Sequence, residues 1–354
     1  MAVTGSSRTS PPSESTDQRV TAICDPYGIK CRDCLRSVRK IEVQFRMDAL
    51  VKTNDKTCPC CLGGSTEAFN DGHHIALYCK VCDHVWYDTR GLEVSHDTYE
   101  NSDKYETYYV GKPPFLWYHQ KSLKYLQRTA TGKRVLDFGC FDGFFTAKLV
   151  TAGFDAYGSD WNRKAIEHGR KAHGLGDRLS RDPNGQYEAI VALEVIEHFP
   201  DPNDFFDVVL PHLSPGGALI LSCPNKNSIY RPKTDAPPHH FSRFSQKSLA
   251  CLLVRHGLEV EIHEREMSTF QLLRNVVGDS LRRKAPLLNK DTEPEAKRTY
   301  FHGLKLVANS IANSACLVLR PIDAVIHTLG LSYLSQFVVA KRLPAAEISK
   351  GQAD

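Results

Sequence analysis

Two carboxylates and an imidazole lie within five residues of one another, at Glu194, Glu197 and His198. They follow an apolar stretch that predicts a buried strand, so we expect them on the loop at its carboxyl end. Two further histidines, His239 and His240, follow the next predicted strand. Carboxylates and imidazoles that converge from two such loops can hold a divalent cation, or a histidine can act as a general base without one. A structural alternative is that Glu197 and His198 only cap and orient the helix after them.

Four cysteines form two Cys-x-x-Cys pairs, Cys58 with Cys61 and Cys79 with Cys82. Four thiolates on two such turns complete a tetrahedral zinc site, and a closed site of this kind is structural. Cys60 is an alternative partner for Cys58, although the spacing favours Cys61. A reduced cluster without metal is the other interpretation. Three further cysteines, to which the spacing assigns no role, are Cys24, Cys31 and Cys34.

The stretch 135–143, Val-Leu-Asp-Phe-Gly-Cys-Phe-Asp-Gly, predicts a buried strand and a glycine turn, with a helix starting at Phe144. Gly139 and Gly143 allow the backbone to approach a ligand closely, and the start of the helix directs free N–H groups towards it. The pattern is typical of a nucleotide-binding unit.

An acidic residue, Asp160, ends the next predicted strand about twenty residues after the glycine turn. At that position a carboxylate can accept hydrogen bonds from both ribose hydroxyls of a nucleoside. Trp161 offers a flat ring face for the base. The structural alternative is that Asp160 caps the helix that begins near Asn162.

Alternating strands and helices connect these loops. The predicted strands are 135–138, 153–160, 187–193, 218–223 and 258–264, and the predicted helices are 116–126, 144–150, 204–213 and 249–256. This order predicts a doubly wound, mostly parallel α/β sheet that binds its ligands at the carboxyl ends of the strands.

The composition of the 354-residue chain is that of an ordinary globular protein, with 41% hydrophobic and 24% charged residues. The net charge of +4 gives no argument for nucleic acid or an anionic membrane as a partner. Because no apolar run has the length of a membrane span and the N-terminus lacks the apolar core of a signal peptide, we expect a cytoplasmic protein. A homo-oligomer is compatible with the sequence.

The ordered motifs resemble those of class I S-adenosylmethionine-dependent methyltransferases. They are Val135–Gly143, Asp160, Tyr187–His198, Leu213–Gly217 and Ser222–Asn225, within roughly 115–265. The resemblance implies that the methionine part of S-adenosylmethionine is held by Asp137, Gly139 and Gly143, and the ribose by Asp160. The other residues placed in this cofactor site are Cys140, Phe141, Trp161 and Leu193. Phe141 stands where many members have a second glycine.

The Glu-x-x-Glu-His motif with a later histidine resembles the magnesium or manganese site of small-RNA 3′-terminal 2′-O-methyltransferases. Its first part also resembles ubiquinone-pathway O-methyltransferases. The resemblance favours His240 over His239 and implies a cation held by Glu194, Glu197, His198 and His240. His198 and His240 are also the candidate catalytic bases.

The predicted organisation has four parts: a disordered basic extension at 1–50, a zinc ribbon at 51–95, a tyrosine-rich linker and helix at 96–130, and the methyltransferase domain at 131–345. The ribbon is similar to the N-terminal cysteine-rich module of some bacterial methyltransferases. Within the domain, 335–341 looks like the family's last, antiparallel strand, the seventh of the sheet. We expect a helical insertion at about 266–332.

Together these features predict O-methylation of a hydroxyl on a small molecule or sugar intermediate, assisted by a divalent metal if the acid and histidine ligands bind one. One alternative is an RNA 2′-O-methyltransferase, against which stand the modest net charge and the lack of a dense basic, aromatic surface. The other is a non-catalytic scaffold that uses its ribbon to bind a partner.

Overall fold

The computed structural model describes residues 57–71, 74–89, 115–129, 133–228, 231, 235–266, 321–323, 325 and 334–343. The predicted extension at 1–50, with Cys24, Cys31 and Cys34, lies outside these residues, as does nearly all of the predicted insertion at 266–332. Of the predicted linker and helix, 115–129 is described. Among the described residues, no helix is long and apolar enough to cross a bilayer.

The first part of the chain forms a small antiparallel sheet with strands β1 Thr66–Asn70, β2 Ile75–Cys79 and β3 Val85–Tyr87. Strands β1 and β2 lie between the turn with Cys58 and Cys61 and the turn that ends at Cys82, and β3 follows the second turn. We call the described residues 57–71 and 74–89 the cysteine module.

A seven-stranded sheet forms the second part. Its strands are β4 Arg134–Phe138, β5 Asp155–Ser159, β6 Leu179–Ser180, β7 Tyr187–Leu193, β8 Leu213–Pro224, β10 Leu258–Arg265 and β11 Ser335–Arg342. The order across the sheet is β10-β11-β8-β7-β4-β5-β6, and only β11 runs antiparallel to its neighbours. The predicted mostly parallel, doubly wound sheet with an antiparallel last strand is therefore confirmed.

Five helices flank this sheet in the described part of the chain. They are α1 Trp117–Thr129, α2 Phe144–Thr151, α3 Arg163–Ala172, α4 Pro202–Val209 and α5 Gln246–Arg255. Because helices cover both faces, the central strands are apolar throughout, and Ala189 to Ala192 in β7 are all fully buried. Short polar residues fix the helix starts: the side chains of Asn162, Asp201 and Ser245 each accept a hydrogen bond from the first turn.

The start of β8 differs from the predicted strand at 218–223. The strand begins at Leu213, which pairs with Tyr187, and the pairing resumes with Ala218 opposite Ala189. The turn-like residues 214–217 therefore form a bulge within the strand instead of a loop before it. The helix predicted to reach Leu213 ends at Val209, and a 3-10 turn that contains Pro211 follows.

The cysteine module packs onto the loops at the carboxyl edge of the large sheet. Strand β3 pairs with β9, a two-residue strand at Ser242–Arg243 that follows the histidine loop. The module cysteines also share one apolar core with Phe206, Phe244 and Leu252 of the second part. The two parts are thus joined by strand pairing and by a common core.

Candidate active site

The loop after β4 contains two glycines in left-handed backbone conformations. Gly139 and Gly143 have φ angles of 74° and 75°, in the region that side chains disfavour. A Cβ atom on Gly139 would lie 2.5 Å from a methyl carbon of Val195. The loop therefore packs directly against the loop after β7, and a larger residue at Gly139 would separate them.

Hydrogen bonds hold the loops after β4 and β5 together. The N–H groups of Gly139 and Cys140 donate to the Ser159 carbonyl over 2.8 and 3.1 Å. The Asp160 carboxylate accepts hydrogen bonds from the N–H groups of Phe141 and Asn162, both at 2.8 Å. The N-cap of α3 is Asn162, so the alternative role of Asp160 as that cap is not what the structure shows. The structure thus brings the predicted glycine turn and the predicted acid into contact.

Asp137 is 4% exposed and accepts a hydrogen bond of 2.8 Å from the Thr146 hydroxyl on α2. Burial raises the pKa of Asp137 to about 7. The same cause raises the pKa of Asp160. The carboxyl groups of Asp137 and Asp160 therefore both lie at this edge of the sheet.

The remaining predicted cofactor residues surround this loop. Cys140 is buried, Phe141 is half-buried with a left-handed φ of 52°, and Leu193 packs against the core beside the sheet. Trp161 is 38% exposed, and its ring centroid lies 5.6 Å from that of Phe199. The Trp161 ring thus presents an accessible apolar face next to Asp160.

Three of the four predicted cation ligands lie close together: the ligand atoms of Glu197, His198 and His240 are all within 4.8 Å of one another. We call these three residues the acid–histidine site. Glu197 is 0% exposed, and neither of its carboxylate oxygens has a hydrogen-bond partner among the described residues. Burial, together with the nearby charge of Glu194, raises the pKa of Glu197 well above its usual range. A bound cation would offset both the burial of the Glu197 carboxylate and its repulsion by Glu194. The donor set therefore fits a divalent metal.

Hydrogen bonds orient the two imidazoles. His198 Nδ1 lies 2.6 Å from the His239 carbonyl oxygen, and His240 Nδ1 lies 2.9 Å from Asp235 Oδ1. When each Nδ1 carries the ring proton, Nε2 keeps the lone pair that a metal or a proton can bind. Burial lowers the pKa of His198 to about 4, so this ring is neutral near pH 7. His239, the alternative to His240, contributes its backbone carbonyl to the His198 contact.

Glu194 lies beside the acid–histidine site and outside its three closely spaced ligand atoms. Its backbone is left-handed, with a φ of 57°, and its Oε2 accepts a 3.3 Å hydrogen bond from the Ser335 hydroxyl. Burial and the charge of Glu266 raise the pKa of Glu194 to about 7. Glu194 can thus carry or release a proton close to the acid–histidine site.

Asp235 is the functional residue that sequence reasoning missed. It is 2% exposed and accepts from His240, and Arg231 and Arg243 also pair with its carboxylate. The sequence places it five residues before His240 in a Pro-containing segment with no periodic pattern. An acid close to a candidate histidine ligand was the one available signal, because such histidines are usually oriented by a carboxylate.

The four predicted zinc ligands converge in the cysteine module. The Sγ atoms of Cys58 and Cys82 are 3.5 Å apart and those of Cys61 and Cys79 are 3.6 Å apart, close to the ~3.8 Å between sulfurs in tetrahedral Zn–S geometry. Cys60 lies in a different group, with Cys58 and the buried His84. None of the eight cysteines in the described residues forms a disulfide.

Comparison with known proteins assigns the central part of the chain. Residues 117–263 match the family described as a methyltransferase domain. The matched residues contain the glycine turn, Asp160 and the acid–histidine site.

The chain is also similar to curated enzymes named ubiquinone biosynthesis O-methyltransferase. The protein from Bordetella avium is 32% identical over 120 residues, which are 30% of this chain and 49% of that protein. The one from Marinobacter nauticus is 33% identical over 110 residues, 27% of this chain and 46% of its own. The chain thus spans about half the length of these curated relatives.

The solved structures that the chain matches include phosphoethanolamine N-methyltransferase 2 of Haemonchus contortus in complex with S-adenosyl-L-methionine. It has a TM-score of 0.47 at 13% identity and covers 78% of this chain and 71% of its own. Another is the magnesium protoporphyrin IX methyltransferase of Synechocystis, with a TM-score of 0.40 at 13% identity, covering 70% of this chain and 97% of its own.

Proposed function

We propose that the chain is an S-adenosylmethionine-dependent O-methyltransferase that uses a divalent cation, magnesium or manganese, at its acid–histidine site. One observation carries this proposal. Within a methyltransferase domain, the fully buried Glu197 carboxylate has no hydrogen-bond partner among the described residues and lies next to two oriented imidazoles. Glu194, on the same loop, is a further carboxylate that can join the ligand set.

For the cofactor, we propose the site between the loops after β4, β5 and β7. Asp160, fixed by two backbone N–H groups, still has oxygen lone pairs for the ribose hydroxyls, and Trp161 offers its accessible face to the base. The Gly139 and Gly143 turn, above the buried Asp137, receives the methionine part. Cys140, Phe141 and Leu193 form the rest of the lining of this cofactor site.

The chemistry follows from what these residues hold in place. Methyl transfer is a displacement at carbon, so the acceptor oxygen must be aligned with the methyl group and must lose its proton. A divalent cation, when bound, lowers the pKa of a coordinated hydroxyl. Glu197, His198 and His240 would hold the cation, and the neutral Nε2 of His198 or His240 can take the proton. Apolar burial of these groups excludes water that would compete with the acceptor.

The proposed acceptor is a hydroxyl on a small molecule or sugar intermediate. The curated relatives are named as O-methyltransferases, and they share the methyltransferase domain with this chain. The match covers about half of each relative, so it supports the type of reaction and does not carry over their acceptor.

We also propose that the cysteine module holds one structural zinc ion through Cys58, Cys61, Cys79 and Cys82. All four are buried and leave no open coordination position, which fits a structural and not a catalytic ion.

Titration with Mn²⁺, followed by the loss of the free-ion electron paramagnetic resonance signal, tests the central proposal. We expect about one tight site per domain in the wild type, and a loss of affinity of at least about 100-fold in Glu197→Gln, since the amide removes the only fully buried anion of the set. Glu188→Gln is the matched control, because Glu188 lies at the start of β7, the strand that precedes the Glu197 turn, and its carboxylate accepts only from the Arg134 N–H among the hydrogen bonds described. Equal affinities in Glu197→Gln and Glu188→Gln would refute the cation site.

A further inference from the structure

We infer that the cysteine module supports the acid–histidine site and that Arg243 is the positioning residue that transmits this support. The inference rests on the proposed function in treating Glu197 and His240 as cation ligands. It goes further in giving the module a role in the site itself, through contacts that the module makes with the loops on which the ligands lie.

Backbone hydrogen bonds make the first connection. Strand β3 of the module pairs with β9, and the Tyr87 N–H donates to the Phe241 carbonyl over 3.0 Å. The Phe241 N–H in turn donates to the Glu197 carbonyl over 2.8 Å. Phe241 follows His240 directly. Its carbonyl accepts from the module, and its N–H donates to the loop that carries Glu197.

Arg243 makes the second connection. Its Nη2 donates to Asp71 Oδ2 in the module over 3.2 Å and to the Asp235 carbonyl over 2.7 Å. Its Nε lies 3.4 Å from the Asp235 carboxylate, and its guanidinium lies 5.0 Å from the centroid of the Tyr87 ring. The Tyr87 hydroxyl donates to Asp71. The guanidinium therefore bridges two carboxylates, one in the module and one that orients His240.

The side chains that form this bridge are buried, so each of its contacts is costly to lose. The side chains of Arg243 and Asp71 are each 13% exposed and that of Asp235 is 2% exposed, so water cannot readily replace a lost contact. Asp235 accepts from His240 Nδ1 and thereby sets which way Nε2 faces. Without the Arg243 side chain, Arg231 is the arginine that remains paired with Asp235, and the Arg231 side chain is 31% exposed.

A second arginine provides a control with the same type of contact but no path to His240. Arg255 on α5 donates from Nη1 to the Pro59 and Cys60 carbonyls of the module over 2.5 and 2.8 Å, and from Nη2 to Asn203 Oδ1 over 2.7 Å. Arg243 and Arg255 both join the module to the methyltransferase domain. Only Arg243 contacts Asp235.

The test compares Arg243→Gln with Arg255→Gln in the full chain. We expect Arg243→Gln to weaken Mn²⁺ binding by about 10- to 100-fold, the usual cost of removing a residue that orients a metal ligand, and Arg255→Gln to change it by less than about 3-fold. S-adenosylmethionine affinity and zinc content should match the wild type in both variants. Unchanged Mn²⁺ binding in Arg243→Gln, or an equal loss in Arg255→Gln, would overturn the inference.

A double-mutant cycle with Asp71→Asn separates transmission through the module from a local effect of Arg243. If the bridge acts as a unit, Asp71→Asn weakens Mn²⁺ binding in the same direction, and the double variant is no worse than Arg243→Gln alone. Unchanged Mn²⁺ binding in Asp71→Asn, or losses that add in the double variant, would show that Arg243 does not transmit support from Asp71 to the site.

Hydrogen exchange of the backbone at 236–244 gives a readout that needs no catalytic metal. Arg243→Gln should accelerate exchange in this segment relative to Arg255→Gln, because its anchoring contacts are lost. If the wild type binds no Mn²⁺, the proposed cation site fails, and exchange alone decides the inference: faster exchange in Arg243→Gln supports it, and equal exchange in the two variants overturns it.

Discussion

Phe141 and Glu194 follow neighbouring strands of the large sheet, and both hold left-handed backbone conformations although neither is a glycine. For a residue with a side chain, this conformation costs roughly 1–2 kcal/mol, and such strain is concentrated at functional sites. Phe141 donates its N–H to Asp160, and Glu194 lies close enough for its charge to raise the pKa of Glu197. At the scale of single residues, the strain therefore coincides with the proposed cofactor and cation sites.

Replacing Asp160 should separate its ligand role from its contacts with the loops. We expect Asp160→Asn to weaken S-adenosylmethionine binding by about 10- to 100-fold, because the amide cannot accept from both ribose hydroxyls and both backbone N–H groups. Calorimetry measures the change. Asp155→Asn is the control, since Asp155 lies at the start of β5, the strand that precedes Asp160, and is paired with Arg178. Equal affinity in the two variants would remove Asp160 from the cofactor site.

The sequence was sufficient to find most of the candidate residues, because their chemistry is tied to strand ends that periodicity reveals. Glycine turns, an acid after β5 and carboxylates after β7 are all local features of the chain. Asp235 was missed because its importance comes from a hydrogen bond to His240 within an irregular loop. No local pattern distinguishes such an acid from an ordinary surface acid.

Two loops form the acid–histidine site, one after β7 and one before β9, and their packing sets its pH dependence. Burial keeps the pKa of Glu197 well above its usual range, whereas burial keeps that of His198 low, at about 4. A cation can bind only after Glu197 loses its proton, but His198 is already neutral.

Mn²⁺ affinity should therefore rise with pH between 6 and 8. One proton released per ion corresponds to about a tenfold gain in affinity per pH unit below the pKa of Glu197. Glu194, with a pKa raised to about 7, steepens the dependence below pH 7 if it joins the ligand set. Titrations at pH 6, 7 and 8 measure the slope. An affinity that does not change over this range would contradict the raised pKa of Glu197.

Strand β9 shows what the sequence could not predict at the scale of elements. The central strands were predicted because they are apolar runs buried on both faces. Ser242–Arg243, in contrast, has only two residues and becomes a strand because β3 pairs with it. The residues 214–217 were predicted as a turn from their composition, and they form a bulge because β8 continues on both sides of them.

In the molecule as a whole, the cysteine module and the methyltransferase domain meet through contacts between distant parts of the chain. The Arg243–Asp71 hydrogen bond spans 172 residues, and the Arg255 contacts with Pro59 and Cys60 span more than 190. Sequence reasoning predicted the two parts separately. It had no means of docking one on the other, because shape and buried charge determine that arrangement.

The zinc assignment can be tested through the two adjacent cysteines. Cys61→Ser should remove most of the bound zinc, since Cys61 Sγ lies 3.6 Å from Cys79 Sγ within the four-sulfur group. Cys60→Ser should keep about one zinc ion per chain, because Cys60 lies outside that group. Elemental analysis of freshly purified protein measures both. Retention in Cys61→Ser together with loss in Cys60→Ser would assign the site to Cys60 and His84 instead.

The central claim is that a divalent cation and S-adenosylmethionine occupy adjacent sites at one edge of the sheet. A crystal structure of the protein with Mn²⁺ and S-adenosylmethionine, with anomalous scattering recorded at the manganese edge, tests it directly. We expect one anomalous peak in contact with Glu197, His198 and His240, and the ribose of the cofactor on Asp160. A peak elsewhere, or a cofactor that does not contact Asp160, would contradict it.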